Sequence, residues 1–166
     1  MQTPATATIR YATPADAVPV RRFVFDILCE YGVPADPDGS DADVMEFGRP
    51  HDARVVHLVA EADGTPVGSA ILTPYPDSRV KLSKLFVQAG YRGTGIGRRL
   101  LHRAVDEARA HGYREIFLTT RALYREAVGL YESEGWIRGA DQPPPGPDRL
   151  YYLALDGQST PVAATE

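Results

Sequence analysis

Residues 85–101 read LFVQAGYRGTGIGRRLL, and this is the most informative stretch of the chain. A short apolar run leads into a loop in which three glycines stand between Arg92 and Arg98, and a helical pattern follows at once. Glycine lets the backbone approach a phosphate closely, and the first amides of a helix have no partner within it. Flanking arginines add charge-assisted hydrogen bonds. The stretch therefore predicts a binding site for a phosphorylated small molecule.

The composition is that of a globular protein. Of 166 residues, 43% are hydrophobic and 24% are charged, which is enough to form an ordinary core. We expect a single domain over 7–155, with loose termini at 1–6 and 157–166.

The charge and the apolar runs exclude two classes of partner. The net charge of -4 provides no basic surface for a nucleic-acid backbone. No run reaches the ~18 apolar residues of a membrane span, and the N-terminus has no signal-peptide pattern. We therefore expect a cytoplasmic protein that binds neither nucleic acid nor membrane.

Hydrophobic periodicity changes repeatedly between strand and helix, which predicts an α/β fold of the α+β type. Asp63-Gly64 between two apolar runs is a strong hairpin signal, so the early sheet is expected to be antiparallel. The predicted strands are Ala7–Tyr11, Val55–Glu61, Pro66–Leu72, Arg79–Val87, Glu115–Thr119, Trp136–Arg138 and Leu150–Leu155. The predicted helices run from Thr13 to Tyr31, Asp41 to Phe47, Arg98 to His111 and Ala122 to Glu134.

Three other interpretations of the glycine loop fit the sequence less well. A dinucleotide-binding loop reads G-x-G-x-x-G near the start of a parallel sheet, whereas this loop reads G-x-G-x-G past the middle of the chain. A nucleoside-triphosphate loop continues with G-K-[ST], but Gly97 is followed by Arg98. A turn without a ligand leaves three alternate glycines between arginines unexplained.

Two separate motifs carry a family resemblance. R-G-T-G-I-G at 92–97 matches the R/Q-x-x-G-x-G/A signature of the GNAT superfamily of N-acetyltransferases, and A-V-G-L-Y-E-S-E-G-W at 127–136 resembles its A-x-x-L-Y-x-x-x-G-F segment. L-F-V at 85–87 is similar to the central strand of that family. The resemblance covers about 7–155 and implies the GNAT fold, a mostly antiparallel mixed sheet flanked by about four helices.

By this resemblance the donor is acetyl-coenzyme A, acting as a co-substrate. The loop backbone would bind its pyrophosphate, and the strand backbone would pair with its pantetheine arm. Of the two implied catalytic groups, the Val87 amide would polarise the thioester carbonyl and Tyr131 would protonate the departing thiolate. The implied cofactor-binding residues are Leu85, Phe86, Val87, Arg92, Gly93, Thr94, Gly95, Ile96, Gly97 and Arg98.

The resemblance does not supply a general base. Relatives often carry a glutamate where this chain has Lys81, and an asparagine where it has Tyr124. Glu30, Glu46 and Glu61 are alternatives, although each is more typical of a solvated surface acid. We therefore assign no base.

The resemblance implies transfer of an acetyl group to a primary amine of a small molecule or peptide, by direct attack in a ternary complex. The acceptor is not identified, and both a monomer and a homodimer fit. The acidic segment 30–47 would attract a cationic amine, or it is a solvated loop. The competing interpretation is a coenzyme A-binding module with a sensing or structural role and no catalytic base.

The remaining reactive side chains indicate structural roles. Cys29 is the only cysteine, so no intramolecular disulfide forms, and its apolar helical neighbours predict a buried thiol. The four histidines show neither i, i+4 ligand spacing nor a zinc motif, so we expect no metal site.

Overall fold

The structure is a computed structural model that describes residues 6–155. The loose termini predicted at 1–6 and 157–166 lie outside the described residues, apart from residue 6. The strands are β1 (Ala7–Tyr11), β2 (Val56–Ala62), β3 (Thr65–Tyr75), β4 (Arg79–Val87), β5 (Glu115–Thr120), β6 (Ile137–Arg138) and β7 (Arg149–Ala154). The α-helices are α1 (Ala17–Glu30), α2 (Ala42–Met45), α3 (Ile96–Ala110) and α4 (Arg125–Ser133).

The strands form a mixed sheet in the order β1-β2-β3-β4-β5-β7-β6. The pairs β1–β2, β2–β3, β5–β7 and β6–β7 are antiparallel. Strands β4 and β5 are parallel, as the connection through α3 requires. The predicted mixed fold with a mostly antiparallel sheet is confirmed.

Two predicted helix starts lie too early, each for a local reason. Thr13 and Asp16 form a capping box around a short 3-10 turn, Pro14–Asp16, so α1 itself begins at Ala17. Helix α4 begins at Arg125, because its N-cap Tyr124 has a ψ of 70°, outside the helical range.

The chain divides into two compact units. The first contains 6–72 and 84–104, and the second contains 73–83 and 105–155. The boundaries therefore fall within β3, β4 and α3.

The core of the first unit lies against one face of α1. The helix has an apolar stripe that packs on α2 and on residues of β2 and β3. Both strands are buried almost continuously, since side chains on each face meet other parts of the fold. The core residues are Val20, Phe23, Val24, Ile27, Leu28, Val44, Phe47, Val55, Val59 and Ile71.

The core of the second unit contains an aromatic cluster. Tyr131 on α4 lies 5.7 Å, between ring centroids, from both Trp136 and Tyr151. The Tyr151 hydroxyl donates to Glu132 Oε2 at 2.6 Å, which satisfies its polar end. The cluster fixes α4 on strand β7.

Gly68 lets α3 approach the sheet of the first unit closely. A Cβ at this position of β3 would lie 2.8 Å from Leu100 Cδ1, 3.2 Å from Ala60 Cβ and 3.3 Å from the Phe86 carbonyl oxygen. Leu100 is fully buried, so any shift of its side chain must be accommodated within the core.

We expect Gly68→Ala to destabilise the protein by about 1–3 kcal/mol, because the added methyl group overpacks this contact. The midpoint of urea unfolding measures the change. Gly90→Ala is the matched control, since a Cβ there has no neighbour within 4 Å. Equal midpoints for the two variants would contradict this account of the packing.

Candidate functional site

The glycine loop adopts the backbone that its sequence predicts. Strand β4 ends at Val87, a 3-10 turn follows at Ala89–Tyr91, and α3 begins at Ile96. Between them, Gly93 and Gly95 have φ angles of 77° and 88°. Residues with a Cβ adopt this left-handed region at a cost, so glycine is the residue that suits both positions.

The loop exposes a row of backbone amides. Within residues 6–155, the amides of Gly93, Thr94 and Gly95 donate no hydrogen bond to the protein. A Cβ at either glycine would meet nothing within 4 Å, so the space beside them is open. The Thr94 hydroxyl donates to the Tyr91 carbonyl at 2.6 Å and holds the loop in this shape. The arrangement suits an anion bound at the start of α3.

Arg92 holds the loop to the rest of the first unit. Its guanidinium donates to Glu30 Oε2 and Oε1 at 2.8 and 3.0 Å, and its Nε donates to the Val87 carbonyl at 3.1 Å. Its own amide donates to the Ala89 carbonyl at 3.3 Å. Therefore the available amides in this structure begin at Gly93, whereas the guanidinium acts as a structural bridge.

The end of β4 leads into this loop. Leu85, Phe86 and Val87 are apolar yet only half-buried. The β4–β5 ladder covers Arg79–Lys81 and Glu115–Phe117, so β4 extends well beyond it.

Lys84 is a feature that the sequence pattern did not indicate. This residue lies inside β4 but has a φ of 54°, which is uncommon for any residue other than glycine. Its side chain is 10% exposed and pairs with Asp41 and Asp43. No glycine marks the irregular position, so periodicity alone predicts an ordinary strand here.

Tyr131 belongs to the second unit, on α4. It is 4% exposed, and burial raises the pKa of its phenol well above the ordinary value of 10.0. Within the described residues its hydroxyl donates no hydrogen bond to the protein. The group is therefore protonated throughout the neutral range, and burial also makes it a weaker acid than an ordinary tyrosine.

The three glutamates considered as bases all have basic partners. The hydrogen bond from Arg92 lowers the pKa of Glu30, and the hydrogen bond from His51 lowers the pKa of Glu46. Glu61 Oε1 accepts from Arg10 Nε at 2.7 Å. The lowered pKa values make Glu30 and Glu46 weak proton acceptors.

The two positions that depart from the family pattern lie in the second unit. Lys81 is half-buried in β4 and pairs in register with Phe117. Tyr124 occupies the N-cap of α4. Neither places a carboxylate or an amide where the relatives often have one.

The prediction for Cys29 was wrong. The residue is exposed near the end of α1, because the buried stripe there consists of Phe23, Val24, Ile27 and Leu28. The apolar neighbours in sequence lie on a different face of the helix.

His57 has the structural role expected for it. Its ring is 6% exposed and stacks on Phe47 at 4.8 Å, and its Nδ1 accepts a hydrogen bond from the Gly48 amide at 2.9 Å. Among the described residues, no group of three or more His, Cys, Asp or Glu side chains is arranged to hold a metal ion. In the same part of the chain, no helix is long and apolar enough to cross a membrane.

Comparison with known proteins identifies the family. A sequence profile of the Acetyltransferase (GNAT) family matches residues 21–136, a range that contains β4, the glycine loop and α4. The chain belongs to the GNAT acetyltransferase family. The resemblance drawn from the two sequence motifs is confirmed.

Individual relatives of this GNAT protein are moderately similar. YjgM of Escherichia coli, an uncharacterized N-acetyltransferase, is 28% identical over 142 residues, which are 80% of this chain and 83% of that protein. The IAA acetyltransferase of Azospirillum brasilense is 39% identical over 94 residues, 56% of this chain and 61% of that protein.

Solved structures share the fold. A GNAT acetyltransferase from Staphylococcus aureus Mu50 superposes with a TM-score of 0.79 at 23% identity, over 90% of this chain and 99% of that chain. The yncA protein of Salmonella typhimurium, solved with its cofactor acetyl-CoA, gives 0.72 at 24% identity, over 92% and 95%. The PaiA N-acetyltransferase of Thermoplasma acidophilum, solved with coenzyme A, gives 0.73 at 18% identity, over 90% and 99%.

The buried acceptor nitrogen of His57 makes stability depend on pH. Burial lowers the pKa of His57 below 6.5, so the unfolded chain takes up this proton before the folded protein does. Stability is therefore full above about pH 6.5 and falls at lower pH, by at most about 1.4 kcal/mol per pH unit.

His57→Asn provides the test, because the asparagine oxygen accepts from Gly48 without titrating. We expect urea unfolding between about pH 7 and pH 5 to show a smaller loss of stability in the variant than in the wild type. The exposed His51, whose pKa Glu46 raises, contributes with the opposite sign in both proteins and cancels in the comparison. Parallel pH profiles would contradict the role given to His57.

Proposed function

We propose that this chain transfers the acetyl group of acetyl-coenzyme A to a primary amine by direct attack in a ternary complex. The observation that carries the proposal is the row of available amides at Gly93, Thr94 and Gly95, placed directly before α3 and after an apolar strand end. The catalytic domain in this proposal extends over 7–155.

Donor binding uses backbone groups of the first unit. The pyrophosphate would accept hydrogen bonds from the loop amides and the first amides of α3. Arg98, exposed in the first turn of that helix, adds positive charge. The half-buried Leu85–Val87 backbone would pair with the pantetheine arm, and the apolar side chains there suit its largely uncharged chain.

When bound, acetyl-coenzyme A supplies an activated acetyl carbonyl attached to a good leaving sulfur. The Val87 amide is the proposed donor to the carbonyl oxygen, which gains negative charge as the amine nitrogen attacks. Tyr131 is the proposed acid, and its proton goes to the sulfur as the carbon–sulfur bond breaks. The attacking amine nitrogen releases one proton in the same reaction. That proton passes through solvent to the tyrosinate oxygen and restores the neutral phenol.

Direct attack is favoured over a covalent relay. Cys29 is the only cysteine in the chain, and it lies in α1 rather than in β4, the glycine loop or α4. The groups expected around the thioester therefore provide no thiol that could carry the acetyl group.

The second candidate function is a coenzyme A-binding module without catalysis. Glu30 and Glu46 are held in the charged form by basic partners, and Lys81 stands where relatives often carry a glutamate. The transferase does not require a carboxylate base if the amine binds in its neutral form and releases its proton to water.

Release of free thiol from acetyl-coenzyme A distinguishes the two functions. The wild-type protein is assayed with amino acids, a polyamine, an aminoglycoside and peptides with free N-termini, and calorimetry measures coenzyme A binding. Amine-dependent thiol release supports the transferase. Tight binding with no release on any amine supports the module, and absence of binding contradicts both.

Tyr131→Phe is expected to lower kcat by at least about 100-fold, because the proton donor is removed while the ring remains. Coenzyme A affinity should stay nearly unchanged. Tyr152→Phe, which removes a hydroxyl from β7, is the control and should retain full turnover. Unchanged turnover of the Tyr131 variant would remove this residue from the mechanism.

Gly95→Ala is expected to weaken coenzyme A binding about 10-fold, since alanine disfavours the φ of 88° and binding must restore it. Gly112→Ala is the matched control: its φ is 82°, and its Cβ also meets nothing within 4 Å. Both variants should lose stability, measured by urea unfolding, but calorimetry should show weaker coenzyme A binding for the Gly95 variant alone. Equal dissociation constants would place the pyrophosphate elsewhere.

A further inference from the structure

Among residues 6–155, the Lys84 side chain has three polar contacts, all with one segment of the first unit. Its Nζ lies 2.9 Å from Asp43 Oδ1 and 3.2 Å from Asp41 Oδ1, and it donates to the Ser40 carbonyl at 3.1 Å. One hydrogen bond and two ion pairs therefore join the ammonium group to the same segment. The Lys84 and Asp41 side chains are only 10% and 8% exposed. Removal of one partner from a buried ion pair lowers stability, because the other charge is left without compensation.

The segment that Lys84 contacts, 36–43, is internally bonded. Asp41 Oδ2 accepts from the Asp36 amide at 2.7 Å, and the Asp41 amide donates to the Asp36 carbonyl at 2.9 Å. Asp36 Oδ2 in turn accepts from the Ser40 amide at 3.1 Å. Segment 36–43 therefore behaves as one body, and Lys84 attaches that body to strand β4.

A separate contact holds the main chain of Lys84. The Ser69 hydroxyl on β3 donates to the Lys84 carbonyl at 2.8 Å, and Ser69 is fully buried. A left-handed lysine persists only where its surroundings fix it. Here the two sets of contacts fix both its main chain and its side chain.

These contacts change the interpretation of the acidic segment. The carboxylates of Asp41 and Asp43 pair with the Lys84 ammonium, so their charge is compensated within this protein. Their contribution is geometric. Lys84 precedes Val87 by three residues of the same strand, a distance of about 10 Å.

We propose that Lys84 is a positioning residue that fixes segment 36–43 beside the donor-binding end of β4 and so shapes the approach of the acceptor amine. This inference rests on the proposed function for its kinetic consequence. The attachment of the segment itself is a statement about the first unit alone.

The test compares Lys84→Met with the wild type in two measurements. Amide hydrogen exchange of 36–43 should become roughly 10-fold faster or more, because the attachment is lost. With the panel amine that the wild type acetylates fastest, kcat/KM for the amine should fall by about 10- to 100-fold. KM for acetyl-coenzyme A should stay within about 2-fold, since the loop amides are untouched.

Arg54→Met is the control for loss of an ion pair, because Arg54 pairs with Asp52 in an exposed turn. It should change neither measurement. If Lys84→Met does not fold, Asp43→Asn removes one of the two ionic contacts and should accelerate exchange in 36–43 by a smaller factor.

Unchanged exchange in 36–43 would overturn the attachment, whether or not the protein has activity. Faster exchange with unchanged amine kinetics would overturn the positioning role. Absence of turnover by the wild-type protein on every amine would instead contradict the proposed function, while the exchange comparison would still decide the attachment.

Discussion

The proposed site depends on three consecutive backbone amides that have no hydrogen-bond acceptor among residues 6–155. Amides in folded proteins are normally paired, and those of Gly93, Thr94 and Gly95 avoid pairing because two left-handed glycines direct the chain away from the helical pattern. These residues are exposed, so water solvates the amides until an anion replaces it. Helix α3 follows directly, and its positive N-terminal end adds to the attraction.

Two charged side chains of the first unit, Arg92 and Lys84, stabilise the elements on either side of the loop amides. Arg92 joins Glu30 and the Val87 carbonyl, and Lys84 joins β4 to segment 36–43. These contacts pair Glu30, which the sequence suggests as a base, and Asp41 and Asp43, which it suggests as an acidic surface for an amine. The chemistry proposed for this family member consequently depends on backbone donors and on one buried phenol, and the lowered pKa values of Glu30 and Glu46 make both carboxylates weak bases.

The sequence predicts those parts of the fold in which a required backbone conformation admits few residue types. Asp63-Gly64 gives the expected hairpin, and Gly93 and Gly95 give the expected loop, because positive φ selects glycine or aspartate. Lys84 has the same backbone conformation but is held there by Ser69 and by two aspartates far away in sequence. The exposure of Cys29 depends on which face of α1 is turned to the core, and the pairing of Glu30 depends on Arg92, which is distant in sequence. Hydrophobic periodicity specifies neither.

The proposed activity requires that the loop amides bind the pyrophosphate of coenzyme A. Amide chemical shifts of the ¹⁵N-labelled protein, titrated with coenzyme A and with pantetheine, test it most directly because pantetheine has no pyrophosphate. Coenzyme A should shift the Gly93, Thr94 and Gly95 resonances, whereas pantetheine should affect only residues near 85–87. Saturable binding of coenzyme A that leaves those three amides unshifted would contradict it.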